Sequence, residues 1–126
     1  MPDLTFTQNN QIDKGTLKVG VVERRGNTPI RDATINISYT GEPNSTIEEV
    51  NTNASGMSEE LTLDAPPLEY SMEPSENQPF AQYTVRITAP GYRPITISGV
   101  QIFPGELALQ NVRMEKKVRQ VTRLIR

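Results

Sequence analysis

From residue 81 onward the chain alternates. Tyr83, Val85, Ile87 and Ala89 are apolar, with Gln82, Thr84, Arg86 and Thr88 between them, a period of two that places each set on one face of a β-strand. Pro90-Gly91 stops that strand, because proline presets φ for the second position of a turn and glycine accepts the positive φ of the third. Ile95 and Ile97 resume the pattern over 93–98, Gly99 breaks it, and Val100, Ile102 and Phe103 lead into Pro104-Gly105. Gly91, Gly99 and Gly105 all read as turn residues at strand ends. A last strand is expected over 106–114, turning inward either Leu107 and Leu109 or Val112 and Met114.

The first half of the chain carries the same grammar. Leu17, Val19 and Val21 face one way in a strand from Thr16 to Glu23, the turn Arg25-Gly-Asn-Thr-Pro29 follows, and Ile30 is expected to pack beneath it. Ala33, Ile35, Ile37 and Tyr39 alternate with Asp32, Thr34, Asn36 and Ser38 in a second strand. Ile47 and Val50 share no period-two face, so 46–52 is read as an edge strand carrying a bulge. Asn53-Ala-Ser-Gly56 turns the chain again, and Leu61 and Leu63 mark strand four. Short strands punctuated by turn signals predict an all-β, seven-stranded antiparallel sandwich.

Three segments depart from that pattern. Residues 64–80 hold Pro66, Pro67, Pro74 and Pro79 and cannot be regular structure, yet Leu68, Tyr70, Met72 and Phe80 predict an ordered crossover strapped over one end or edge. The N-terminal arm, 1–14, is polar apart from Leu4, Phe6 and Ile12. Leu4 and Phe6 stand two apart, so the arm can add as an edge strand on its own sandwich or on a neighbour's. The tail, 115–126, places Val118, Val121, Leu124 and Ile125 at helical spacing. It reads as one short helix docked on its own domain, on a partner or on a membrane surface, or else as a terminal strand or frayed end.

With 126 residues, the arm, sandwich (15–114) and tail form one domain with short ends. There is no cysteine, hence no disulfide or thiolate metal site, and no run approaches the ~20 apolar residues of a membrane span. Met1-Pro-Asp-Leu4 lacks the basic segment and apolar run of a secretory signal, so synthesis in the cytoplasm is expected, with export only by a leaderless route or by lysis. Without export, the Asn-x-Ser/Thr triplets at Asn36, Asn44 and Asn53 read as chance.

The net charge of −2 hides an uneven layout. Acids crowd the stretch between Asp32 and Tyr83, which has no lysine or arginine, with Glu48-Glu49 and Glu59-Glu60 as adjacent pairs. Lys116, Lys117, Arg119, Arg123 and Arg126 make the tail basic. Solvated strand faces with a solubilising end account for this; so does head-to-tail association, one tail on the next copy's acidic face. Nucleic-acid binding is disfavoured, since the body is acidic and no aromatic platform accompanies the basic residues.

Chemistry finds few footholds. The chain has no histidine, which removes imidazole bases, Ser-His-Asp triads and nearly every catalytic zinc arrangement. Adjacent glutamates on a strand point to opposite faces and cannot share a proton or a metal. No Asp-x-Asp-x-Asp spacing supports calcium. A Lys–Asn isopeptide bond of the adhesin type has only Lys14 or Lys18 with Asn111 to draw on, and Lys18 should face solvent. No cofactor is expected.

Several segments together resemble the carboxypeptidase-regulatory-like domains, transthyretin-like or Ig-like sandwiches without catalysis of their own. They are Gly15-Thr-Leu-Lys-Val with Thr28-Pro-Ile-Arg-Asp-Ala-Thr-Ile-Asn-Ile, then Thr52-Asn-Ala-Ser-Gly56 with Leu61-Thr-Leu, then Tyr83-Thr-Val through Pro90-Gly-Tyr-Arg-Pro. A narrower likeness is carried by Leu63-Asp-Ala-Pro-Pro-Leu-Glu-Tyr-Ser-Met-Glu-Pro, Pro79-Phe-Ala-Gln-Tyr, Gly99-Val-Gln-Ile-Phe-Pro-Gly and Gln110-Asn-Val. These look like the amino-terminal domain of bacterial spore cortex-lytic enzymes, where the sandwich precedes the parts that recognise and cleave peptidoglycan. The chain stops after its basic tail without a peptidoglycan-recognition or hydrolase module, so lytic activity is not expected to carry over. The resemblance implies a non-enzymatic, spore- or cell-wall-associated module that binds a protein partner or peptidoglycan. The alternative is a self-assembling structural subunit whose arm or tail contacts the next copy.

Overall fold

A computed structural model of the chain describes residues 13–42, 44–66 and 78–118. It contains seven strands: β1 (Asp13–Glu23), β2 (Thr34–Tyr39), β3 (Thr46–Asn51), β4 (Leu61–Ala65), β5 (Ala81–Thr88), β6 (Ile95–Ile102) and β7 (Leu107–Met114). They form two sheets, ordered β4-β1-β7 and β3-β2-β5-β6. The all-β sandwich read from the alternation is what the chain adopts, and no helix of the described residues is long and apolar enough to cross a membrane.

The core lies between the inward faces. Leu17, Val19 and Val21 from β1 meet Ile35 and Ile37 from β2, Val85 and Ile87 from β5 and Ile102 from β6, all withdrawn from solvent. Each such side chain contributes roughly 1.5–3 kcal/mol by leaving water. Tyr83 is also fully buried and satisfies its hydroxyl by donating to the Asp64 carbonyl at 2.6 Å, while its ring stacks on Tyr39 with centroids 5.1 Å apart. Ile30 is buried below the 24–28 turn as expected, its N–H bonded to the Val21 carbonyl.

Two buried hydroxyls complete backbone pairing where the strands run out. Thr52 Oγ1 accepts from the Ala33 N–H at 2.9 Å and donates to the Ile30 carbonyl at 2.6 Å. Ser58 Oγ accepts from the Val19 N–H at 2.9 Å, and the Ser58 N–H returns a bond to the Val19 carbonyl. A buried N–H left unpaired is costly, so a hydroxyl at each point substitutes for a missing ladder partner.

The structure corrects several expectations. The ladders are not all antiparallel: β7 runs parallel to β1, from Thr16 opposite Leu107 to Glu23 opposite Met114. The last strand crosses to the other sheet to join β1, and arrives pointing the same way. β1 begins at Asp13, which pairs with Ala65. Gly99 is no turn: β6 continues through it, with a register shift between Tyr83 and Val85 on the facing strand and Gly99 at φ 77°. This bulge keeps Ile95 and Ile97 on the same face as Val100 and Ile102 despite the change of parity. The bulge expected in β3 is present, at the shift between Ile37 and Ser38 that leaves Ile47 unopposed. On β7, Val112 and Met114 are the inward pair.

Of the proline-rich crossover, Phe80 is half-buried with its ring 5.3 Å from that of Phe103, and Leu68, Tyr70 and Met72 lie outside the described residues. The helical reading of the tail falls mostly outside them too. Its described start is extended: Lys116 forms a bridge with Tyr92, and the Lys117 N–H bonds to the Gly91 carbonyl.

Candidate functional site

The β7 strand is an edge, and its chemistry follows from its parity. The Thr16 N–H donates to the Glu106 carbonyl at one end and the Arg24 N–H to the Met114 carbonyl at the other, so even-numbered residues direct their backbone groups at β1. The N–H and C=O groups of Leu107, Leu109, Asn111 and Arg113 therefore point away from the sheet. The side chains of the same residues stand on the sheet's outer face, where Leu107 is 53% and Leu109 58% exposed. An open row of backbone donors and acceptors thus lies beside two uncovered leucines.

The other three edges among the described strands are guarded. β4 has five residues and carries Asp64, whose carboxylate pairs with Lys14. β3 is interrupted at Ile47 and presents Glu48 and Glu49. β6 is kinked by its bulge at Gly99. Charges, bulges and brevity are the usual means of blocking strand addition. β7 is eight residues long, unbulged, and charged only at Arg113.

Beyond Leu109 the outer face sinks into a recess of about 400 Å³. Its floor is Gly20, which stands opposite Asn111, and Met57, Asn27 and Arg113 line the walls. A second recess, about 340 Å³, lies between the 23–25 segment and 114–118. Here the Tyr92 hydroxyl donates to the Glu23 carboxylate, and Lys116 Nζ approaches the same carboxylate at 3.9 Å. That hydrogen bond, with some burial, pushes the Tyr92 phenol up to about 12. Burial, reinforced by Tyr39 and Asp64, raises Tyr83 further still. On the other sheet a polar recess of about 210 Å³ is lined by Asn36, Ser38, Thr84, Arg86 and Thr96, and Asn36 Oδ1 is enclosed there without a hydrogen-bond partner among the described residues.

The residues singled out from sequence are scattered. Glu48 pairs with Ile37 and Glu49 with Asn36, which puts the two carboxylates on opposite faces of β3 as alternation requires. Glu59 and Glu60 are exposed but precede β4 rather than lying on a strand. Among the described residues no ion pair joins these four glutamates to Lys116 or Lys117; Lys116 faces Glu23 of its own chain. Leu4, Phe6, Arg119, Arg123 and Arg126 lie outside the described residues. Lys14 is engaged with Asp64 on the β4 side of β1, away from Asn111, and Lys18 is an outer-face residue opposite Leu109. No group of three or more Asp and Glu among the described residues is arranged to hold a metal ion. Leu107 and Leu109 were visible in the sequence as apolar, but as one of two rival inward pairs.

No protein-family model matches the chain, and no curated protein matches it in sequence. Solved structures do share its fold. The Bacillus anthracis TIE protein superposes with a TM-score of 0.55 at 18% identity, over 82% of this chain and 17% of its own. GBS52, the minor pilin of Streptococcus agalactiae, gives 0.53 at 13% identity, over 86% of this chain and 47% of its own. Catechol 1,2-dioxygenase of Acinetobacter radioresistens gives 0.58 at 14% identity, over 94% and 56%. The chain spans less than two thirds of the length of each of these three proteins, and what it shares with them is the β-sandwich fold.

Proposed function

We propose that this chain is a non-catalytic β-sandwich module that works by binding, with the β7 edge as its contact surface. The observation that carries this reading is the pairing of an unguarded, unbulged edge with the uncovered side chains of Leu107 and Leu109. An extended segment laid along such an edge gains main-chain hydrogen bonds and covers apolar surface together. The lack of histidine and cysteine and the dispersal of the acids support a role without turnover. Spore or cell-wall association, with peptidoglycan or a wall protein as the target, rests on the segments that resemble the amino-terminal domain of cortex-lytic enzymes. The same edge favours a second reading, a subunit that assembles with its own copies. A minor pilin among the fold neighbours is in keeping with that reading.

Two measurements on the purified chain test the proposal: co-sedimentation with purified spore peptidoglycan, and molar mass by light scattering across concentration at low and high salt. The chain is expected to pellet with the polymer or to exceed monomer mass. A chain that does neither is not a binding module of this kind, and turnover of any substrate overturns the non-catalytic assignment.

A further inference from the structure

We infer that the β7 edge is a berth for residues 3–8 of a second copy of this chain, so that copies join arm to edge. This rests on the reading of that edge as the contact surface and names its occupant. Leu4-Thr-Phe6-Thr alternates with the period of a strand, and the twelve residues before Asp13 supply no other segment of that kind. Among the described strands, β7 is the one edge without a bulge, a paired acid or a short ladder to refuse it.

The chemistry of the two segments matches residue by residue. An antiparallel arm that sets Phe6 opposite Leu109 sets Leu4 opposite Asn111, above the recess floored by Gly20. Both apolar side chains then cover the outer face where Leu107 and Leu109 are open to water. Thr5 falls opposite Gln110 and Thr7 opposite Ala108, on the half-buried side of the strand. Pro2, which has no N–H to donate, falls at Arg113, where the ladder ends.

The route of the chain favours a neighbour's edge over its own. β1 starts at Asp13 paired with Ala65 of β4, on the side away from β7. On the β7 side, the 103–106 turn closes over the foot of β1: the Gly105 N–H bonds to the Lys14 carbonyl, and the Thr16 N–H and hydroxyl both reach the Glu106 carbonyl. An arm returning to its own β7 must pass round this turn within the few residues between Gln8 and Asp13. Contacts of arm on edge are heterologous, so copies propagate into a ring or an open chain.

Complementation between full-length variants tests this. Leu107→Lys with Leu109→Lys disables the edge and keeps the arm; Leu4→Lys with Phe6→Lys disables the arm and keeps the edge. The leucines are more than half exposed, so the edge variant is expected to keep its fold, and circular dichroism checks both. By sedimentation velocity the parent chain should self-associate with rising concentration, and each variant alone at least tenfold more weakly. An equimolar mixture should form one-to-one pairs, each joining an intact arm to an intact edge. A parent chain that is monomeric throughout, an arm variant that associates like the parent, or a mixture that does not pair overturns the inference. If the mixture fails while the parent still self-associates or pellets with peptidoglycan, the binding-module reading survives and only the arm is ruled out.

Discussion

The backbone carbonyl of Phe103 lies against Gly15, in the space that a β-carbon on Gly15 would need, with Ile102 Cγ2 only 2.6 Å from the same point. A backbone carbonyl at the foot of the β6–β7 connection cannot swing aside as a side chain can. Gly15→Ala is therefore expected to cost about 1–3 kcal/mol in denaturant unfolding, as overpacking does elsewhere. Gly20→Ala is the control: the atoms it meets are Asn111 Oδ1 and Met57 Sδ, both 2.9 Å away and both at the ends of movable side chains. It should cost clearly less. Equal losses would mean that the foot of β1 is softer than this contact implies.

Thr52 is the second sensitive point. Thr52→Val keeps the shape and removes the hydroxyl that pairs the Ala33 N–H and the Ile30 carbonyl. Leaving these buried groups unmatched should cost about 1–3 kcal/mol. Thr52→Ser, which keeps the oxygen, should recover most of the loss in the same unfolding assay.

Gly99 isolates a backbone effect. Its φ is 77°, and none of the described residues has an atom within 4 Å of the position a β-carbon would take. Gly99→Ala should thus lose only the conformational term, about 1–2 kcal/mol. Gly99→Asn should lose less, since asparagine tolerates that region. A larger loss for asparagine than for alanine would contradict the bulge geometry.

Tyr92 predicts a response to alkali. Its phenol is raised to about 12 from the ordinary value of 10.0 because its proton is held by the Glu23 carboxylate. The folded chain therefore keeps a proton that the unfolded chain loses first. The resulting stability is complete below about pH 10 and disappears as pH climbs through about 12. Tyr92→Phe should make this alkaline loss shallower, while Tyr83, also raised, preserves part of it. Unfolding midpoints measured on both proteins across that window, with tyrosinate absorbance as a second readout, check the sign.

The strands were legible because one face of each is buried, and burial imposes alternation: Leu17, Val19 and Val21, or Val85 and Ile87, announce themselves. Where the rhythm changes, sequence alone reads a stop. Gly99 looked like a turn because the apolar positions pass from odd to even there, and a bulge produces the same signature. β7 was ambiguous for a related reason. Its four large apolar residues fall into two sets of opposite parity, and only the partner strand decides which set faces in. That partner is β1, some ninety residues earlier, and parallel pairing at such a separation leaves no local trace. The β7 edge was missed with it. The arm and tail drew notice by composition, whereas an unguarded edge is defined by what its neighbours lack. Thr52 and Ser58 gave no signal either: Thr52 reads as the polar last residue of an edge strand and Ser58 as loop, and neither role shows until the hydrogen bonds are seen.

The β1–β7 ladder also bears on how the polypeptide is made. β1 leaves the ribosome some ninety residues before β7, so the central strand of one sheet waits without its neighbour on that side while the residues between them are made. Long-range pairing of this sort slows folding, because the intervening chain must be ordered before the closing contacts are gained. A nascent chain arrested before Leu107 emerges therefore lacks an entire strand of the three-stranded sheet and exposes the flank of β1 that Val112 and Met114 later help to seal. The sandwich is complete only once β7 is free to pair, and the nascent chain is most vulnerable to proteases and misassociation in the interval before that.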